Sequence, residues 1–228
     1  MIFAKVNLAK TSLAVFALAV TGLAAEPQRI RVTVEREDAT GGWRAMNPAT
    51  VFAPNERLRF RLTTNFAGFL YVMNKGTAGT YELLFPRTDT GSDNRVEAGK
   101  EYMVPATEGW FRIAGPAGQD LMYWLVSPVE LPGGYQRLPP PPPHDPKLPS
   151  SLHPRCDDQV FKARGECIDN SAGVRPIEPG EALPSNLSGV AGTTPRELLF
   201  LEEKGGTVLS SKQPLTGPVI YEIRLAHR

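Results

Sequence analysis

The chain has 228 residues, a formal net charge of +1, 41% hydrophobic side chains and 21% charged ones. These proportions are near globular averages and exclude a wholly disordered chain. The small net charge excludes a nucleic-acid binder that works by bulk positive charge. With 22 prolines and 21 glycines, the chain is richer in both than is usual, which favours strands, turns and loops over long helices. Its apolar runs are all too short for an ordinary membrane helix.

At the start, Lys5 and Lys10 precede an apolar stretch from Leu13 to Leu23, and Gly22 and Ala24 occupy the −3 and −1 places of a cut before Ala25. This order of positive charge, apolar stretch and small residues is that of a secretory signal peptide. Residues 1–24 are therefore expected to be removed, and the mature chain to be exported to the periplasm or the cell exterior, without a membrane span. The leader takes away two lysines and no acid, so the mature chain turns slightly acidic.

Residues 28–36 alternate, with Ile30, Val32 and Val34 on one side and Arg29, Arg31, Thr33 and Glu35 on the other. That period of two predicts a half-buried strand. Residues 57–63 repeat it, with Leu58, Phe60 and Leu62 inward and Arg57, Arg59 and Arg61 outward. Phe69 to Asn74 is more continuously apolar, as suits a central strand. Further strands are predicted over 80–85, around 100–104 and 110–114, and over 120–127, with a polar loop from Arg87 to Asn94. Short strands with turn signals between them predict an antiparallel sandwich or barrel.

The composition changes after Leu131. Pro139 to Pro143 reads as a polyproline II spacer, or alternatively as a docking motif for an aromatic groove, and residues 150–193 are polar and irregular. This segment holds the two cysteines, Cys156 and Cys167. An even pair in an exported protein reads as a disulfide. Two free thiols are the alternative, and a zinc site is disfavoured because His153 and Asp157 lack a ligand-like spacing. Thr194 to Glu197 has the form of a helical capping box, yet Leu198 to Leu201 suits a strand equally well. Val219 to Ala226 alternates again and predicts a final strand. The fold class expected is all-β: an antiparallel β-sandwich, immunoglobulin-like or similar. One domain is expected from residues 28–130 plus 206–226. Residues 131–193 are expected to form a proline-rich, disulfide-pinned excursion on its surface.

A set of short motifs runs through the middle of the chain. Gly68-Phe69-Leu70-Tyr71-Val72-Met73-Asn74 is followed by Leu83-Leu84-Phe85-Pro86, Asn94-Arg95-Val96-Glu97-Ala98-Gly99, Val104-Pro105, Gly115-Pro116-Ala117-Gly118 and Leu121 to Ser127. In order and spacing, residues 45–130 resemble domain of unknown function 4384, a β-rich bacterial family. The resemblance implies an exported domain or an accessory module attached to peptidases or kinases, and it carries no catalytic residues. Arg87 departs from the family pattern, where Asn is expected, and so does the long segment after Leu131.

No nucleophile elbow, Ser-x-x-Lys pair or phosphate loop is present. His144 and His153 lie in the proline-rich region and His227 is next to last, so no histidine base is expected on the strands. Asp89, Asp93 and Glu97 cluster in one loop without the spacing of a calcium loop. Asn186-Leu187-Ser188 matches a glycosylation acceptor that has no meaning in a bacterial chain. No catalytic residue, metal or cofactor is assigned, and the chain is not expected to be an enzyme. Arg57, Arg59 and Arg61 form a ladder with steps of about 7 Å. With Trp43 and Trp110 they make the candidate binding surface; the alternatives are a solvated face paired across strands with Glu35 or Glu37 and tryptophans packed in the core, where Trp124 is expected. The function expected is binding or scaffolding in the bacterial envelope, with a protein or an anionic polymer as partner. An accessory role on an enzyme partner is the alternative. The oligomeric state is left open.

Overall fold

The computed structural model describes residues 26–133, 137, 139, 153–157, 159–178, 180–191, 198–203 and 205–228. The expected signal peptide, residues 140–143 of the proline run and the capping box at 194–197 lie outside the described residues. The strands before the proline-rich segment are β1 (Gln28–Glu37), β2 (Trp43–Met46), β3 (Arg57–Thr64), β4 (Gly68–Lys75), β5 (Tyr81–Phe85), β6 (Arg95–Val96), β7 (Glu101–Val104), β8 (Phe111–Arg112) and β9 (Gly118–Ser127). After it come α1 (Gln159–Ala163), β10 (Gly173–Pro176), α2 (Ser188–Ala191), β11 (Leu199–Glu203), β12 (Gly206–Ser211) and β13 (Val219–His227). The segment that suited helix and strand equally well is thus a strand, β11.

These strands build two antiparallel sheets. The first runs β11-β12-β1-β3-β7, with β2 also on β1 and β8 also on β3; the second runs β10-β13-β9-β4-β5, with β6 also on β4. The sheets face each other as a sandwich. Ile30, Val32, Val34, Leu58, Phe60 and Leu62 from the first sheet share one core with Leu70, Val72, Met122, Trp124, Val126, Val219, Tyr221 and Ile223 from the second. Trp124 is fully buried, with its ring 5.2 Å from Phe60 and 6.2 Å from Tyr221.

The two sheets differ in what covers their outer faces, and the sequence patterns follow from this. β1 and β3 alternate because their outward side chains are polar. In β4 and β9 most residues of both parities are apolar, as expected of strands buried on both faces; β13 alternates in sequence, yet it too is covered on both faces, with Ile220, Glu222 and Ala226 buried. A second cluster lies behind them, in which Tyr71, Met73, Tyr123, Leu125 and Ile220 pack with Leu131, Leu187 and Val190. Part of the proline-rich, disulfide-bearing segment therefore covers the second sheet, and β10 pairs with β13 along its edge. No short-range pattern announces β10, whose residues Gly-Val-Arg-Pro lack alternation. β2 is equally unannounced. Its hairpin depends on Asp38, whose carboxylate accepts hydrogen bonds from the Thr40 and Gly42 N–H groups at 2.9 and 3.0 Å, and on Gly41 at φ 82°, where a side chain would be strained.

Cys156 and Cys167 are disulfide-bonded. The loop they close is tied to the sandwich: Val51 N–H donates to the Cys167 carbonyl at 2.8 Å and Asp169 N–H to the Ala49 carbonyl at 2.9 Å. Asp169 is fully buried and accepts from Gln119, Arg155 and Ser171. Burial pushes its carboxyl up, but the hydrogen bonds outweigh burial and hold it below the usual range.

Candidate binding face

The outward side chains of the first sheet form the face that the sequence singled out. The register sets Glu35 opposite Arg59, Thr33 opposite Arg61 and Arg31 opposite Thr63. The ladder Arg57, Arg59 and Arg61 is therefore brought against the acids of β1. Glu35 is only 3% exposed; it accepts from Arg59 Nε at 2.7 Å and from Arg61 Nη2. Arg57 pairs with Glu37 at 2.9 Å, and Arg61 reaches Glu101 on β7 at 3.3 Å.

The two tryptophans complete the ladder. The Arg59 guanidinium lies 4.3 Å from the centroid of the Trp43 ring, and that of Arg57 lies 4.3 Å from the Trp110 ring. Each pair is a cation–π contact. It stiffens a side chain that would otherwise lose much rotamer entropy on binding a partner. All five candidate residues thus belong to one surface. Trp43 reaches it through β2, the strand that the sequence did not announce, and Trp110, 38% exposed, stands just before β8.

Beside this ladder is a cleft of about 380 Å³ lined by Arg31, Thr33, Glu35, Ala45, Arg61, Thr63, Glu101 and Gly205. Its floor is the buried carboxylate of Glu35 and the hydroxyls of Thr33 and Thr63. Its sides carry Arg61 and Arg31, the latter paired with Glu203 at 3.2 Å. The side chains of Glu101 and Glu203 are 53% and 49% exposed, so these outer pairs are worth only about 0–1 kcal/mol each. Sequence reading alone missed Arg31, Thr33, Thr63, Glu101 and Gly205. β7 and the β11–β12 turn meet this face only through sheet pairing.

Residues 51–130 match the family model described as domain of unknown function (DUF4384). The match agrees with the family that the motif order resembles. No curated protein and no solved structure matches the chain. The DUF4384 segment contains β3 to β9, and so parts of both sheets. β1 and β13, which lie between its strands and the rest, fall outside it. The face is therefore composite: Arg57, Arg59, Arg61, Glu101 and Trp110 come from the DUF4384 segment, and Arg31, Thr33, Glu35 and Trp43 from the strands before it.

The acids of the long DUF4384 loop do not gather around one point. Asp89 is held by Arg87 Nη2 at 2.7 Å, Asp93 accepts from Arg95 N–H at 3.0 Å, and Glu97 meets Lys100 at 3.4 Å. His153 is exposed and His144 lies outside the described residues. His227, which the sequence reading set aside, is 1% exposed at the end of β13. No described helix is long and apolar enough to cross a membrane.

Proposed function

We propose that the protein is an exported, non-catalytic binding module of the bacterial cell envelope, and that it takes an anionic polymer on the outer face of its first sheet. The observation that carries this reading is the buried Glu35 carboxylate holding Arg59 and Arg61 beside the cleft. A ladder of cations fixed from beneath is preorganised, so little side-chain freedom is lost on binding. By strand parity and register the face presents Arg29, Arg31, Arg57, Arg59, Arg61 and Arg112 against Glu35, Glu37, Glu101 and Glu203, an excess of positive charge on a near-neutral chain.

The test is affinity chromatography and calorimetry of the mature chain with a soluble carboxylated polysaccharide, with an uncharged glucan as control. Binding should require the charged polymer, weaken with added salt, and fall in Arg31→Gln, Arg57→Gln and Arg112→Gln, which leave the Glu35 cluster intact. Equal retention by the uncharged glucan, or no loss in any arginine variant, would refute the reading. The other reading, an accessory module on an enzyme partner, predicts instead that no polymer binds.

A further inference from the structure

At one end of the arginine face two cations stand directly opposite each other. Phe111 and Ile113 turn into the core, where the Phe111 ring lies 6.1 Å from that of Phe60. Side chains alternate along extended backbone, so Arg112 between them points outward. The register sets it opposite Arg57 across β8 and β3. Two backbone hydrogen bonds hold that register: Asn55 N–H donates to the Ile113 carbonyl and Ile113 N–H to the Glu56 carbonyl, each at 2.9 Å. Opposed side chains leave their strands about 4.5–5.5 Å apart at Cβ, and like charges placed in this way repel.

The neighbouring groups relieve this repulsion only in part. Glu37 accepts from Arg57 Nη1 at 2.9 Å. Among the described residues no carboxylate pairs with Arg112, which is exposed. Trp110 stacks on Arg57, with the guanidinium 4.3 Å from its ring centroid. Stacking uses the flat face of a guanidinium, whereas its N–H donors lie in its own plane and stay free at the edge. Arg57 therefore keeps donors beyond the one that Glu37 takes, and Arg112 keeps its whole fork. Arg59 and Arg61 differ, because both already donate to Glu35.

Two forks side by side discriminate between anions. A carboxylate has two oxygens and one charge, and a single bidentate guanidinium fills it. A phosphomonoester has three acceptor oxygens and a charge of about −1.5 to −2 at pH 7. It can take donors from both guanidiniums at once and offset both charges. We propose that Arg57 and Arg112, backed by Trp110, form a seat for a phosphomonoester group, and that the polymer taken by this face carries such groups. The assignment rests on the polymer-binding reading of the same face and adds the identity of the anion.

The test compares binding of the mature chain, by calorimetry at pH 7.5, to a phosphorylated dextran, a carboxymethylated dextran of equal total charge and plain dextran, with glucose 6-phosphate as a small competitor. The phosphorylated polymer should bind about tenfold or more tightly than the carboxymethylated one, the worth of one further fork of charge-assisted hydrogen bonds. Arg112→Gln should bring the two charged polymers to equal affinity. Arg112→Lys, which keeps the charge but loses the fork, should do nearly the same. Lys75→Gln removes an exposed charge from the other sheet and should leave the preference unchanged. Glucose 6-phosphate should displace the phosphorylated polymer from wild type; displacement equally strong from Arg112→Gln would place the phosphoryl group elsewhere and overturn the proposal. Equal affinity of wild type for the two charged polymers would overturn it too, while leaving the polymer-binding reading intact. Failure of either charged polymer to bind better than plain dextran would overturn both.

Discussion

Replacing Glu35 by alanine tests whether the arginine face is held from beneath. The Glu35 side chain is 4% exposed, whereas those of Arg59 and Arg61 are 27% and 38% exposed. Breaking a fully buried ion pair costs about 3–5 kcal/mol, because the partner is left charged in a dry interior. Here both guanidiniums can rehydrate, so the loss falls to that of hydrogen bonds to a charged group, about 1.5–3 kcal/mol. For a chain of this size each kcal/mol lowers the melting temperature by about 2–4 °C, so Glu35→Ala should lower it by about 3–12 °C. Glu35→Gln should cost less, since the amide oxygen still accepts from one arginine. Thermal and urea melts followed by tryptophan fluorescence measure this directly, and Trp43 stacked on Arg59 reports on the face itself. A melting temperature within about 1 °C of wild type for Glu35→Ala would refute the reasoning. The ladder would then be a set of independent surface charges, and the preorganisation argument for binding would fail with it.

Further outcomes follow from the second sheet and the disulfide loop. Glu222 is fully buried, and burial pushes its carboxyl above the ordinary 4.5 despite Arg224 and Arg175 nearby. The folded state then holds this proton more tightly than the unfolded chain. Stability from this group is full below pH 4.5 and declines as pH rises through 4.5 to the folded value. Glu222→Gln should flatten that decline in melts recorded from acid to neutral pH; an unchanged slope would contradict it. Reducing Cys156–Cys167 should raise the intact mass by about 2 Da and destabilise the chain by about 2–3 kcal/mol from loop entropy. A larger loss, seen as collapse of the whole melt, would show that the tied loop at Val51 and Ala49 is needed for folding. At Gly68 an added Cβ would sit 2.5 Å from the Ser127 carbonyl oxygen of β9, so Gly68→Ala should cost about 1–3 kcal/mol in urea melts; a neutral result would show that β4 and β9 can separate there.

The sequence by itself determined the alternating strands and the order of the DUF4384 motifs, because both are local. An apolar residue every second position predicts a strand with one buried face; β1 and β3 took that form, whereas β13 alternates in sequence but is covered on both faces. It also supplied the cysteine pair and the outward arginines 57, 59 and 61. What those arginines meet is a matter of register. Strand parity alone offers Glu35 or Glu37 as cross-strand partners, and both are used; that Glu35, 24 residues from Arg59, serves two arginines at once and that Trp43 folds back over them is decided only by register. The same holds for the outer face of the second sheet. Its long apolar runs implied cover on both sides, but which segment supplies Leu187 and Val190 was settled only by packing. His227 shows the limit most plainly. By its place next to last in the chain it is set aside, yet pairing of β13 with β9 along its whole length places it in the interior beside Asp120. Side-chain period is a property of consecutive residues, whereas burial and partnership are properties of the strands that the fold brings alongside.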